Sequence, residues 1–487
     1  MKKAAALLAV ALLILIAVLA ANTWRQPSRQ PDATAAVPPA VDQAAALDRL
    51  GAAVRLPTIA SADDPKASSA EFLKLHKLLE ASFPRIHATL KREVINQHSL
   101  LYTWPGSDPA AKPVLLLAHM DVVPVEASSA QEWRQPGFSG VVAGGYIWGR
   151  GTWDNKGNLF SQFEAVEALL AAGFKPKQTI YLASGADEET GGVYGAQAIA
   201  ALLKQRGVRL DYVIDEGLVV TEGLVPGLSM PVGLIGVAQK GYMTVTLSVT
   251  EPHAGHAAQP PRESTIGILS AGLAKLESHP FPTRMSGVTL QMFEHLAPEM
   301  PGVSRVAMSN LWLFGPVVKS QLARTDTARA LLHTTTAITV LRAGLKDNVL
   351  PARAEALVNF RILPGDSSDS VIARVREVID DPRIEVQKPP SPLEPSPVAS
   401  TETRAYATIA KSVRQTFAGS VVAPSLLTAR ADGGFFEGVA DNVYLFTPVR
   451  MGKEDTGRLH GINERISVKN YAEMITFYHQ LIRNTAS

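Results

Sequence analysis

Lys2 and Lys3 precede an apolar run, residues 4–21, that no polar position interrupts. A basic start followed by such a run predicts an export signal or a single uncleaved anchor over residues 1–21, and the run is just long enough to span a bilayer. Ala20 and Ala21 supply the small residues of a possible cleavage site. Either reading puts the bulk of the chain outside the cytoplasm, in a periplasmic or extracellular space or held there by the N-terminal segment. Residues 22–39 contain Pro, Ala and Gln without an apolar period, which predicts a linker ending by residue 40. The globular part begins at Val41.

From there compact apolar runs alternate with helical periods. Residues 114–118, 179–183 and 212–214 read as strands. Residues 157–173 place Leu159, Phe163, Val166 and Leu170 at helical spacing and end on Gly173, and residues 195–207 form a second helix that ends on a glycine. Strand, helix, strand, helix, strand predicts an α/β domain with a mostly parallel sheet and covering helices. The middle differs. Residues 242–249 and 354–362 alternate apolar and polar positions, and 264–278 and 368–379 look helical, which predicts a small α+β domain with one open sheet face. A stretch with five prolines, 388–397, follows it. The expected organisation is therefore one domain from 41–238 and 398–487, an inserted domain at 239–388, and a Pro-rich connection at 389–397.

Composition narrows the chemistry. Apolar residues make up 46% and charged residues 19%, as in a folded protein, and a net charge of +2 gives no case for nucleic-acid binding. The chain has no cysteine, so thiol nucleophiles and disulfides are excluded and any metal must be held by His and carboxylates.

Polar clusters follow the strands, where sites form in doubly wound sheets. The first strand runs into His119-Met120-Asp121; His119 can bind a metal while Asp121 orients its ring, since positions two apart face the same way. Gly149-Arg150-Gly151-Thr152-Trp153-Asp154 leads into a helix, where the ordinary job of Asp154 would be an N-cap. Asp187-Glu188-Glu189 would be self-repelling unless a cation offset it, and adjacent carboxylates allow one to ligate while the other acts as a base. Asp215-Glu216-Gly217 follows a short apolar strand, His460 lies near the C-terminus, and His256 lies in the inserted domain. Of eleven histidines, His76, His87, His98, His279, His295, His333 and His479 have no such setting and read as surface or core residues; His253, three before His256, is the nearer case.

These motifs together resemble the dinuclear-zinc metallopeptidases that include carboxypeptidase G, the aminoacylases and succinyl-diaminopimelate desuccinylase, and among them the carboxypeptidase S and N-fatty-acyl-amino-acid hydrolase type most. The resemblance covers about residues 45 to 485 and adds Gly255-His256 with Pro260-Pro261, Asn359-Phe360-Arg361 with Pro364-Gly365, and His460-Gly461-Ile462-Asn463-Glu464. It implies a zinc-exopeptidase-like domain with an inserted, ferredoxin-like lid and dimerisation domain. It implies two divalent ions, zinc first with cobalt or manganese as alternatives. Asp154 would bridge them, His119 and Asp215 would complete one site, and Glu189 and His460 the other. Asp121 would steer His119, Glu188 would be the general base, and His256 would come from a partner subunit to stabilise an oxyanion. Asn348 and Arg361 would hold a substrate carboxylate.

The resemblance has departures. Glu216 competes with Asp215 as ligand, and alignment of the motif favours Asp215. Asn155 stands where relatives often carry Asp or Met, Ala257-Ala258 replaces a Ser pair, and Arg430-Ala431-Asp432-Gly433-Gly434 is less like its counterpart. The implied activity is hydrolysis of the amide of a peptide C-terminal residue, or, as the alternative, of an N-acyl or N-fatty-acyl amino acid. A non-catalytic binding protein would be expected to lose a ligand or the base, and all those positions are filled. A metallophosphoesterase is disfavoured by His256 and Arg361.

Overall fold

The computed structural model describes residues 1–285 and 287–486. Helix α1 (Lys2–Trp24) carries the apolar run and is long and apolar enough to cross a membrane, with its sides exposed. The stretch after it is not the free linker expected. The side-chain amide of Gln30 pairs with both backbone groups of Val422, at 2.9 and 2.7 Å, Arg414 donates to the Pro31 carbonyl, and the Ala36 N–H donates to the Gln415 carbonyl at 2.8 Å. It is a strap laid on the body of the protein. Its anchors are backbone and amide groups, which leave no apolar period to read.

The first helices of the body are α2 (Gln43–Val54), whose N-terminal N–H groups the Asp42 carboxylate accepts, α3 (Ser69–Ser82) and α4 (Pro84–Thr89). Strands β1 (Lys91–Ile95), β2 (Ser99–Trp104) and β3 (Val114–His119) follow, then a small antiparallel pair, β4 (Val141–Ala143) and β5 (Tyr146–Trp148). Next come α5 (Lys156–Ala171), β6 (Ile180–Gly185), α6 (Ala196–Gln205), β7 (Leu210–Thr221) and β8 (Val232–Gln239). The chain leaves for β9 (Gly241–Thr250), β10 (Gly255–His256), α7 (Thr265–Ser278), α8 (Val288–Leu296), α9 (Gly302–Ser309), α10 (Leu311–Leu322), α11 (Asp326–Ala330), β11 (Thr335–Ala343), β12 (Val349–Leu350), β13 (Arg353–Ile362), α12 (Ser368–Ile379) and β14 (Glu385–Gln387). It returns for α13 (Arg404–Thr416), β15 (Val421–Leu427), β16 (Ala440–Met451), β17 (Arg465–Ser467) and α14 (Val468–Thr485).

The main sheet has eight strands in the order β1-β2-β6-β3-β7-β16-β8-β15. Its centre is parallel, β6-β3-β7-β16, and antiparallel pairs flank it. β3 is apolar throughout because both its faces are covered: Leu116 and Ala118 join the core under α5 and α14, while Leu115 and Leu117 join the one under α6. The α/β class follows from this sandwich.

The inserted domain is a four-stranded antiparallel sheet, β11-β13-β9-β14, with α7 and α12 on one face. Alternate residues of β9 and β13, Met243 to Val249 and Ala354 to Ile362, form its core. Residues 288–330, read from sequence as part of this domain, instead pack on the main sheet. Met292, Phe293, Leu296 and Met300 meet Leu228, Val232, Val421 and Ala423 at the β8–β15 edge, because their helical apolar face finds its partner surface there. The two crossings between domains run side by side, tied by Tyr242 and Leu393 through reciprocal backbone bonds of 2.8 and 3.0 Å.

One glycine governs how the main helix meets its loop. A Cβ on Gly157, in the first turn of α5, would lie 2.0 Å from the Thr152 carbonyl oxygen. Gly157→Ala is therefore expected to displace the 149–155 loop and to lower stability by about 1–3 kcal/mol, read as a shifted urea midpoint with an unchanged slope.

Candidate metal centre

β3 delivers His119 to the C-terminal rim of the sheet. Its Nε2 lies 2.9 Å from Asp154 Oδ1 and 3.4 Å from Glu216 Oε1. Its Nδ1 lies 3.1 Å from the Asp121 carbonyl oxygen and 3.3 Å from Asp121 Oδ1. The Asp121 carboxylate also accepts the N–H groups of Glu188 at 3.2 Å and Glu189 at 3.0 Å, so one buried Asp sets the imidazole and the acidic turn together. His460 Nε2 stands 2.9 Å from Asp154 Oδ2 and 3.2 Å from Glu189 Oε2. Asp154 thus offers one oxygen to each imidazole. It is not the helix cap: the N-cap of α5 is Asn155, and no side chain caps that end.

Asp154 and His460 are far apart in sequence and are held together by a latch. Glu464 is fully buried, and its Oε1 accepts the N–H groups of Gly151, Trp153 and Asp154 at 2.9, 2.9 and 3.2 Å. Its Oε2 pairs with Arg150 Nη1 at 2.5 Å, and Arg150 Nη2 donates to the carbonyls of His460 and Gly461, both at 3.1 Å. Gly151 has a φ of +91°, a conformation that glycine adopts freely, and this lets the loop wrap the carboxylate.

The fourth corner departs from expectation. Midway along β7 the pairing with β16 jumps from Asp215–Leu445 to Leu218–Phe446, so Glu216 and Gly217 form a bulge. Bulges re-aim side chains beside active sites. Here Glu216 turns to His119, while Asp215 turns away and accepts the N–H of Glu216 at 2.7 Å and of Gly433 at 2.6 Å. The structure therefore brings Glu216, not Asp215, to the cluster, and motif alignment gave no sign of the bulge. Asn155 donates to Glu216. Asp187 also faces elsewhere, accepting from Tyr194 N at 2.7 Å.

The electrostatics test whether cations fit. Burial pushes Glu188 well above the ordinary carboxylate range, with Glu216, Asp432 and Glu189 adding repulsion and His119 opposing it. Burial raises Glu216 to about 8 and Asp215 to about 6. Asp432, buried with Oδ2 unpartnered among the described residues, is also pushed well up by burial. Hydrogen bonds that its ring donates to Asp154 and Glu189 raise His460 to about 10. Glu189 Oε1 is buried without a partner among the described residues. Oxygen and imidazole donors crowded in a space short of positive charge suit borderline divalent cations. The groups His119–Asp154–Glu216 and Asp154–Glu189–His460 each place their ligand atoms within 4.8 Å of one another.

Residues 115–484 match Peptidase family M20/M25/M40. The chain belongs to this family. It is 38% identical over 481 residues to "Probable carboxypeptidase S-like 2" of Dictyostelium discoideum, spanning 97% of this chain and 92% of that one. It is 40% identical over 444 residues to "N-fatty-acyl-amino acid synthase/hydrolase PM20D1.1" of Danio rerio, with 90% and 85% covered, and 31% identical over 493 residues to carboxypeptidase S of Saccharomyces cerevisiae, with 90% and 84% covered. The M20 family metallo-carboxypeptidase Sso-CP2 from Sulfolobus solfataricus shares the fold with a TM-score of 0.64 at 18% identity, over 91% of this chain and 99% of that one. As an M20 member the chain is an amide-bond hydrolase of a metal-dependent family.

The inserted domain carries the other expected residues. His256 and Asn348 are neighbours: β10 pairs with β12, and the Ala257 N–H donates to the Asn348 carbonyl at 3.2 Å. Both are exposed, and no bond links them to the cluster among the described residues. His256 Nδ1 accepts from Ala258 N at 3.0 Å, so Nε2 carries the proton and faces outward. Arg361 stacks over Tyr242 at 4.7 Å and has no carboxylate within ion-pair distance among the described residues. His253 is exposed. His76 and His479 are pushed down to about 4 by burial, as core residues are.

The latch was not assigned from sequence, although Arg150 and Glu464 lie inside quoted motifs; the four-residue spacing of Glu464 from His460 was the available signal. Breaking it by Glu464→Leu or Arg150→Met alone is expected to cost about 3–5 kcal/mol, while the double variant Arg150→Met/Glu464→Leu costs less than the sum. Urea unfolding of the set measures this coupling.

Proposed function

We propose that the chain hydrolyses an amide bond next to a free carboxylate, releasing the C-terminal residue of a peptide in the manner of a metallocarboxypeptidase. The observation that carries this reading is Asp154 lying between His119 and His460, with Glu216 and Glu189 completing the two sides. His119, Asp154 and Glu216 would hold one divalent ion, and Asp154, Glu189 and His460 a second. Zinc is the first choice for this donor set, with cobalt or manganese as alternatives. Such ions supply the charge that acidifies a water and polarises a carbonyl.

The chain's own groups do the rest. Glu188, raised by burial, takes a proton from water as the water oxygen bonds to the carbonyl carbon, and gives it to the amine nitrogen as the C–N bond breaks. Asp121 keeps the His119 ring and the Glu188 turn in register. His256, from the inserted domain of a partner subunit in a homodimer, donates its Nε2 proton to the oxyanion once that domain closes, a contribution of about 2.7–4 kcal/mol. Arg361 and Asn348 hold the substrate carboxylate, Arg361 through paired hydrogen bonds. The body works outside the cytoplasm, with α1 as an export signal or an uncleaved anchor.

A second reading, an N-acyl or N-fatty-acyl amino acid as substrate, is supported by the 40% identity to a relative named for that activity. The bond broken is the same and only the acyl group differs. A hydrolysis screen of dipeptides, tripeptides, N-acetyl and N-long-chain-acyl amino acids separates the two. Activity is expected to vanish with chelator and return with zinc, and Glu188→Ala is expected to lose about 10²–10⁴-fold in kcat; near-wild-type turnover by Glu188→Ala removes it from this role. Elemental analysis is expected to find less metal in Glu216→Ala than in Asp215→Asn. The reverse order would return the ligand role to Asp215.

A further inference from the structure

α10 is apolar on two faces. Residues 311–318 contain no charge. One side, Leu311 and Leu322 with Met308 of α9, packs into the cluster beneath β15. The other side leaves Trp312 60%, Leu313 39% and Val317 58% exposed, and Val303 of the adjoining α9 is 84% exposed. A helix that is apolar all round belongs in a core or in lipid, and a contiguous exposed apolar patch marks a contact surface.

What covers it is indicated by α1. The last turns of α1 dock on the α9–α10 junction through Asn310, which is fully buried. Asn310 Nδ2 lies 3.3 Å from the Leu19 carbonyl and 3.2 Å from Thr23 Oγ1, and its Oδ1 accepts from Asn22 Nδ2 at 3.0 Å and from Trp312 Nε1 at 3.2 Å. The rest of α1 projects free of the body, with Leu7, Leu8, Leu12, Leu13, Ile14 and Ile16 all exposed. The apolar run of 18 residues (4–21) is about 27 Å long as a helix, close to the roughly 30 Å of a bilayer's hydrocarbon core. The membrane boundary therefore falls at the last turn of α1, the level of Asn310. Trp24 and Trp312 are both exposed there, and tryptophan favours that boundary. The strap leaves no slack: Ser28 Oγ donates to Glu299 at 2.5 Å and Arg29 pairs with Glu294 at 3.3 Å, so α8 and the turn after it stay beside the end of α1.

We infer that the Trp312–Leu313–Val317 face of α10 is a second membrane contact, lying in the headgroup and acyl boundary of the same bilayer that α1 crosses. It rests on the anchor reading of α1. The partner is the lipid surface, and the contact fixes the orientation of the body on the membrane, which α1 alone, as a single pivot, does not.

The chain has no cysteine, so single spin labels are clean reporters. The full chain carrying a nitroxide on Leu313→Cys, Val317→Cys, Leu12→Cys or Val94→Cys is reconstituted into phosphatidylcholine–phosphatidylglycerol vesicles. Val94 sits on β1, at the sheet edge opposite β15. The labels at 313 and 317 are expected to be reached by dissolved oxygen more than by a water-soluble nickel chelate, as at 12, and the label at 94 to show the opposite. Labels at 313 and 317 as open to the chelate as that at 94, with 12 in lipid, overturn the second contact and leave the anchor standing. A label at 12 in water removes the anchor and with it the second contact as proposed here.

Discussion

Like charges packed away from water repel, and the rim of this sheet gathers Asp154, Glu188, Glu189 and Glu216 around two imidazoles. Among the described residues, no Lys or Arg forms an ion pair with these four acids. The structure meets the repulsion only in part, by drawing protons onto His119 and His460 and by raising the carboxyl groups that burial affects most. The proposed metal ions would complete the balance, and the remaining architecture can be understood as what keeps those acids from moving apart.

Three devices do that. Asp121 ties the end of β3 to the Glu188–Glu189 turn. Glu464 and Arg150 join the loop before α5 to the loop carrying His460. The bulge in β7 sends Glu216 inward and frees Asp215 to hold the turn at Gly433. Each acts through backbone N–H groups that a buried carboxylate accepts, so the backbone satisfies the carboxylates organising the centre, while Asp154, Glu189 and Glu216 meet only side chains, those of His119, His460 and Asn155, among the bonds described.

The continuous apolar strand β3 and the helical period of α5 were legible because burial on both faces and on one face leave different patterns, and the alternation in β9 and β13 revealed the inserted sheet in the same way. His119, Asp154, Glu189 and His460 were legible as polar residues at strand and loop ends, joined by family resemblance. Glu216 was legible only as a competitor of Asp215, because a bulge changes which of two adjacent acids faces inward without changing either residue. The strap at residues 25–36 was hidden because its anchors are scattered single polar bonds, which leave no apolar period. The return of 288–330 to the main sheet was hidden because an amphipathic helix does not say which apolar surface it will cover.

The central claim is that Asp154 lies between two cations. Crystals of the zinc-loaded chain, measured on either side of the zinc absorption edge, test it most directly. The account predicts two anomalous peaks per chain, one between His119, Asp154 and Glu216 and the other between Asp154, Glu189 and His460. A single peak, or two peaks that Asp154 does not separate, would contradict it.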